Sequence, residues 1–370
     1  MSAAAWALPT HEDIESATAL PVIDLSELDD PARHDAFHQR LARIARDTGF
    51  FYLEGHGIDT RTIEELERLT RETFTLPAAA KERIAIRNTP HFRGYTGVGG
   101  EITRLRPDQR EQIDFGEELP AVRSINAVDA EHPIWWALQG PNQWPAELPA
   151  LKPAVLDWLD QTRSVAERLL QAFLVALGQS AQALDALVAA PRNHRFKIIR
   201  YPGQAQGQSD QGVGAHKDGG LLTLLLQDDV GGLQVLSSKG WIDVPPRRNA
   251  FVVNIGEMLE LATNGYLRAN VHRVISPQSG VDRYSIAYFF SPSLHAEEIP
   301  LLTLPEALNE QAQGPESDPE NPLFRHIGTN ALKGRIRSHL DVAERFYPEQ
   351  FRLLQEQARA HGGPLQASAY

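Results

Sequence analysis

Phe196-Lys197-Ile198-Ile199, Leu221 to Leu226, Leu233 to Leu236, Trp241 to Val244, Phe251 to Ile255, Val271 to Ile275 and Tyr284 to Phe290 are short runs rich in β-branched and aromatic residues, all lying between Arg195 and Ser291. Strands at such close spacing indicate a sandwich or barrel. Working outward, Pro153 to Gly178 carries Leu156, Leu159, Val165, Leu169, Leu170, Phe173 and Leu177. This is an amphipathic helix that starts after a proline, ends at a glycine and serves to cover a core. Nearer the N-terminus, Pro21-Val22-Ile23-Asp24-Leu25 and Phe50-Phe51-Tyr52-Leu53 read as strands. Helical spacing of Phe37, Leu41, Ile44 and Ala45, then of Ile63, Leu66 and Phe74, predicts helices after each. Residues 87 to 150 hold no sustained period and read as irregular, surface-reaching structure. Pro305 to Pro322 reads as a flexible excursion and Ala343 to Ala360 as a C-terminal helix. The expected organisation is a lead over 1–19, an α/β region over 20–150, a helix with the β core over 151–300, and the excursion and helix over 301–370.

The chain has 370 residues, 42% hydrophobic and 23% charged, the balance of a globular protein rather than a disordered or fibrous one. Its net charge of -12 repels a phosphate backbone, and no basic patch offsets it, so nucleic acid is not expected as a partner. Without cysteine, thiolate zinc sites, iron–sulfur clusters and cysteine nucleophiles are excluded, and any metal must sit on His, Asp or Glu. No apolar run approaches the length of a membrane span, so no membrane association is expected and a cytoplasmic setting is.

The search for chemistry therefore narrows to histidine and carboxylate on one face of a β element. His216-Lys217-Asp218 offers it, since residues two apart on a strand point the same way while Lys217 faces away. The same pattern recurs at His11-Glu12-Asp13 and His339-Leu340-Asp341, so the triplet alone is weak. His272, in Asn270-Val271-His272-Arg273-Val274, supplies a third ligand from another strand, completing a face of two histidines and one carboxylate with open positions opposite. Standing alone it reads better as a satisfied core histidine. Arg283-Tyr284-Ser285 then places a guanidinium and a hydroxyl on one face, which suits a carboxylate. A surface ion pair beside a buried serine is the plainer reading of that pair.

Taken together, Gly214-Ala215-His216-Lys217-Asp218-Gly219-Gly220, Gln227-Asp228-Asp229-Val230-Gly231-Gly232-Leu233, Val253-Asn254-Ile255-Gly256-Glu257, Thr263-Asn264-Gly265, His272-Arg273-Val274 and Arg283-Tyr284-Ser285 resemble the isopenicillin N synthase-like family of iron(II) and 2-oxoglutarate dependent oxygenases. Gly49-Phe50-Phe51 and Gly55-His56-Gly57 are similar to that family's N-terminal region. The resemblance implies a mainly β fold with flanking helices around a double-stranded β-helix, or jelly roll. It implies His216, Asp218 and His272 as iron ligands, Arg283 and Ser285 as the clamp for the distal carboxylate of 2-oxoglutarate, and Tyr201 as a further cosubstrate contact. The family often has a polar residue and an aromatic where Ile199 and Arg200 stand here. His56 reads as structural, and Asp228 and Asp229 as turn residues.

The activity so implied is oxidation, by default hydroxylation, of a small molecule with Fe(II), 2-oxoglutarate and O2, releasing succinate and CO2. Two competitors are a cyclase that works without 2-oxoglutarate and a non-catalytic jelly-roll binding protein. Substrate choice is expected from the irregular segment holding Phe92, Arg93, Tyr95, Glu101 and Phe115, faced by Arg200. Its mix of aromatics and both charge signs suits a small polar or carboxylate-bearing molecule, and suits a solvated loop as well.

Overall fold

Period-two alternation along the strands assigns each residue to one of two cores. The computed structural model describes residues 20–103, 106–122, 133–206, 208–316 and 322–360. Its strands begin with β1 (Val22–Asp24), β2 (Phe50–Glu54), β3 (Gly94–Thr96), β4 (Ile102–Thr103), β5 (Arg106–Pro107), β6 (Glu111–Gly116) and β7 (Arg195–Tyr201). They continue with β8 (Gln211–His216), β9 (Leu222–Gln227), β10 (Leu233–Ser237), β11 (Gly240–Asp243), β12 (Phe251–Ile255), β13 (His272–Ile275) and β14 (Arg283–Phe290). Eight form a large sheet in the order β1-β2-β12-β9-β14-β7-β6-β3, and four form a smaller one, β11-β10-β13-β8. Pairing is antiparallel in both sheets except between β1 and β2.

Between the sheets lie Phe50, Tyr52, Ile199, Tyr201, Val252 and Ala287 of the large sheet against Val213, Leu233, Val235 and Val274 of the small one. The opposite face of the large sheet carries Phe51, Leu53, Ile198, Leu224, Leu226, Val253, Ile286 and Tyr288. Helices α1 (His34–Asp47), α2 (Thr60–Thr75), α3 (Ala78–Arg83) and α4 (Leu151–Ala176) follow in chain order. Of these, α1, α2 and α4 bury Phe37, Leu41, Ile63, Leu66, Val165, Leu169 and Phe173 in that second core. As expected, α4 stops where Gly178 takes φ +71°, a left-handed conformation that glycine adopts without strain.

Short helices α5 (Asp185–Val188), α6 (Glu257–Ala262) and α7 (Glu306–Asn309) join these elements, and the chain ends in α8 (Ile327–Ser338), α9 (Leu340–Phe346) and α10 (Pro348–Ala360).

Three sequence expectations need correction. Within residues 87 to 150, expected to be irregular, β3 and β6 extend the large sheet, and all six residues of β6 are buried. Glu111-Gln112-Ile113-Asp114 hides its strand character because the polar members are neutralised inside the fold: Glu111 pairs with Lys81 and Arg200, Asp114 with Lys197 and Arg335. Strand β8 escaped notice because Gly212 and Gly214 break its apolar pattern. The helix expected over Ala343 to Ala360 is broken at Tyr347 into the end of α9 and α10, with α8 preceding them, and the stretch from Pro305 contains α7.

Candidate active site

Strands β8 and β13 lie side by side with His216 directly opposite His272, and their imidazole rings are 4.2 Å apart between centroids. Asp218 follows just beyond the end of β8. Its main-chain carbonyl accepts from Glu257 N at 2.8 Å, which anchors the loop to the start of α6. This docking requires glycine at 256, because a Cβ there would lie 2.2 Å from Gly220 O.

The three side chains converge. His216 Nε2 is 3.7 Å from Asp218 Oδ1, His272 Nε2 is 3.8 Å from Asp218 Oδ2, and the potential ligand atoms all lie within 4.8 Å of one another. His216 Nδ1 donates to Gly214 O at 2.9 Å, which turns the Nε2 lone pair inward. Burial, followed by the neighbouring His272, holds His216 neutral by lowering its pKa to about 3. Asp218 Oδ2 accepts from Thr223 Oγ1 at 2.6 Å and Asn254 Nδ2 at 2.8 Å. Burial alone opposes its ionisation, but His272, His216 and these two hydrogen bonds outweigh it and hold the carboxyl well below the usual range. Two imidazoles and a carboxylate on one face, beside a cavity, fit a divalent iron. Lys217 points away, as expected, to Glu316 and Glu260.

Thr223→Val keeps the shape of its side chain but removes one of the two donors to Asp218. The expected result is a loss in iron(II) affinity of about tenfold with an unchanged melting temperature, read by titrating metal-free protein.

On β14, Arg283, Ser285 and Ala287 face between the sheets, and Tyr201 lies opposite Arg283 on β7. The Arg283 side chain is wholly buried, stacks 4.7 Å above the Tyr201 ring and donates through Nη2 to Gln227 Oε1 at 3.0 Å. Its Nε and Nη1, and Ser285 Oγ, are buried without a partner. Buried donors left this way are costly, and together they form a receptor for an anion. The chemistry of these orphaned groups fits the distal carboxylate of a keto diacid.

A cavity of about 190 Å³ opens beside His216 and Asp218, lined among others by Arg93, Glu101, Phe115, Arg195, Phe289 and Arg335.

Chain comparisons can now be set beside this geometry. Residues 20–147 match the model described as the non-haem dioxygenase in morphine synthesis N-terminal family, and residues 192–292 match the 2OG-Fe(II) oxygenase superfamily. A 2-oxoglutarate-dependent dioxygenase, frbJ, of Dothideomycetidae sp. (strain 11243) is 33% identical, covering 90% of this chain and 94% of its own. The chain belongs to the 2OG-Fe(II) oxygenase superfamily. A homoarginine-6-hydroxylase of Arabidopsis thaliana is 34% identical over 76% of this chain and 87% of its own. Among solved structures, a full-length Neurospora crassa protein in complex with alpha-KG and thymine superposes with a TM-score of 0.68 at 26% identity, covering 85% of this chain and 96% of that one. The oxygenase is thus an iron(II)- and 2-oxoglutarate-dependent dioxygenase with a double-stranded β-helix core, an oxidoreductase that uses O2. Among the described residues, no helix is long and apolar enough to cross a membrane.

The residues expected to choose the substrate divide. Arg93 and Glu101 reach the cavity wall of this oxygenase, although Arg93 Nη1 donates to Glu117 O and Gly140 O and is fixed by them. Phe115 borders the cavity, yet its ring stacks on Trp144 and Phe196 in the helix-side core. Phe92 packs on His339 and Tyr347. Tyr95 and Arg200 are not brought to the cavity: Tyr95 donates to Glu111, and Arg200 pairs with Glu111 and Asp282. The reason is strand phase, since Arg200 alternates with Ile198 and Phe196 on the helix side of β7. Arg200→Ala is expected to lower stability by about 1 to 3 kcal/mol, because it removes a hydrogen-bonded partner of the buried Glu111 carboxylate, and to leave 2-oxoglutarate consumption unchanged, measured by thermal melting and succinate release.

Of the two decoys, His11 lies outside the described residues. His339 is buried with its Nε2 3.8 Å from Glu101, and it belongs to an ionic cluster rather than to the metal face. His56 is structural: its ring nitrogens bond Ile58 N and Asn249 O, and it lies 4.8 Å from Phe251. Asp228 accepts from Val230 N within its turn. Sequence reasoning missed Thr223, Asn254 and Gln227. All three sit on inward positions of β9 and β12, where a polar residue amid Leu and Val is the signal.

Proposed function

We propose that this chain hydroxylates a small, polar or carboxylate-bearing molecule bound in the cavity above His216, Asp218 and His272, with release of succinate and CO2. The reading rests on one observation: Arg283 Nε and Nη1 and Ser285 Oγ are buried without partners on the inward face of β14. Such donors leave a keto diacid as the occupant that satisfies them.

In this reading His216, Asp218 and His272 hold iron(II). When bound, the iron and 2-oxoglutarate supply the oxidising chemistry with O2. Thr223 and Asn254 both donate to Oδ2 of Asp218, which fixes the orientation of its carboxylate. Gln227 holds the Arg283 fork in plane, the Tyr201 ring backs it, and Ser285 Oγ adds a third donor to the same carboxylate. The apolar side chains between the sheets exclude water from this end of the site. A cytoplasmic setting suits a cysteine-free chain that works with reduced iron.

The test is iron-dependent conversion of 2-oxoglutarate to succinate by purified protein, combined with untargeted metabolite screening for products that gain one oxygen. Oxygen uptake without succinate would overturn the reading in favour of a 2-oxoglutarate-independent cyclase, and no iron-dependent oxygen uptake would favour a binding protein.

A further inference from the structure

The wall of the cavity away from the cosubstrate clamp is unusually rich in buried charge. Three carboxylates there meet three cations: Arg110 pairs with Glu101 at 2.9 Å and Asp108 at 3.2 Å, Lys197 with Glu101 at 3.1 Å and Asp114 at 3.5 Å, and Arg335 with Asp114 at 3.0 Å. The cluster is balanced within itself. Arg195 is left over. It lines the same cavity, and among the described residues no hydrogen-bond acceptor or carboxylate pairs with its guanidinium. The ring of Phe289 lies 5.1 Å below it. Burial, together with the nearby Arg335, disfavours its charge, which an incoming anion would relieve.

Strand register says where this charge sits. Along the antiparallel pair of β7 and β14, Tyr201 faces Arg283 at one end and Arg195 faces Phe289 at the other. The inward positions between are filled by Ile199, Lys197, Ser285 and Ala287. Six residue steps along the ladder separate the two arginines' positions, a span of roughly 20 Å. A five-carbon diacid held at Arg283 does not reach Arg195, so a different molecule must.

We propose that Arg195 is the specificity-determining anchor for the primary substrate, taking a carboxylate or phosphonate group of a molecule whose planar or apolar portion lies against Phe289. This rests on the oxygenase reading above and names the substrate class for that site. The guanidinium presents a bidentate fork already braced on an aromatic face, which suits two oxygens of a carboxylate or of a phosphonate. Relative to a protein of net charge -12, the anchor supplies the local positive charge that an anionic substrate needs.

The test uses the full chain loaded anaerobically with iron(II) and 2-oxoglutarate, and reads binding by calorimetric titration of benzoate, phenylphosphonate and the neutral benzamide. At least one anion should bind the unmodified protein about tenfold or more tighter than benzamide. Arg195→Gln should erase that preference. Arg195→Lys should keep part of it, more for phenylphosphonate than for benzoate, and settles the question if the glutamine variant does not fold. 2-Oxoglutarate affinity should stay within about twofold in both variants, as expected of a group remote from the clamp. Equal binding of all three probes, no binding of either anion, or a preference that survives in Arg195→Gln would each overturn the proposal. Failure of the underlying oxygenase reading looks different, because the unmodified protein would then form no succinate whatever the probes do.

Discussion

Alanine at His216, Asp218 or His272 should lower iron(II) affinity by more than about a hundredfold and abolish succinate formation. Residues that merely support metal ligands are typically worth ten- to hundredfold, and a ligand itself must exceed that. The measurements are metal content after dialysis and 2-oxoglutarate turnover at saturating iron. His339→Gln is the control, because that residue shares the His-x-Asp pattern but faces Glu101. It is expected to retain iron while melting at a lower temperature, since it disturbs a buried ionic cluster. Iron loss in His339→Gln as severe as in His216→Ala would sink the assignment.

Arg283→Ala should raise the apparent KM for 2-oxoglutarate by tenfold to more than a hundredfold, while iron affinity changes little. A hydrogen-bonded charge is worth roughly 1.5 to 3 kcal/mol, and here every donor is already desolvated. Arg283→Lys should recover only part, because an ammonium cannot both meet Gln227 and present a fork. An Arg283→Ala protein with an unchanged 2-oxoglutarate requirement would move the clamp onto the primary substrate.

Much of this centre was legible in the sequence because its residues sit on strands or, for Asp218, just past the end of one, where spacing of two still keeps a common face. His216 with Asp218, and Arg283 with Ser285, are pairs two residues apart, and both keep a common face in the fold. His272 was readable as an inward position on β13 once the neighbouring strands were recognised. The opposite wall was not legible, for two physical reasons. Its strand β6 is buried through charge pairing rather than apolar content, so no hydrophobic rhythm marks it. Arg335 comes from α8, far along the chain, and only the folded structure brings it to Asp114. Arg200 shows the limit from the other side, since a correct strand with the wrong phase puts a plausible residue outside the cavity.

The contact between Arg335 on α8 and Asp114 on β6 also sets an order of assembly. By Ser285 a growing chain holds every residue of the metal face and the clamp, yet one side of the chamber still waits for a helix some fifty residues further on. Until that helix docks, Lys197 is the one cation paired with Asp114 among the described residues, and the chamber lies open to solvent on the side where α8 will close it. The metal ligands and the clamp are therefore all synthesised before the helix that closes this side of the chamber.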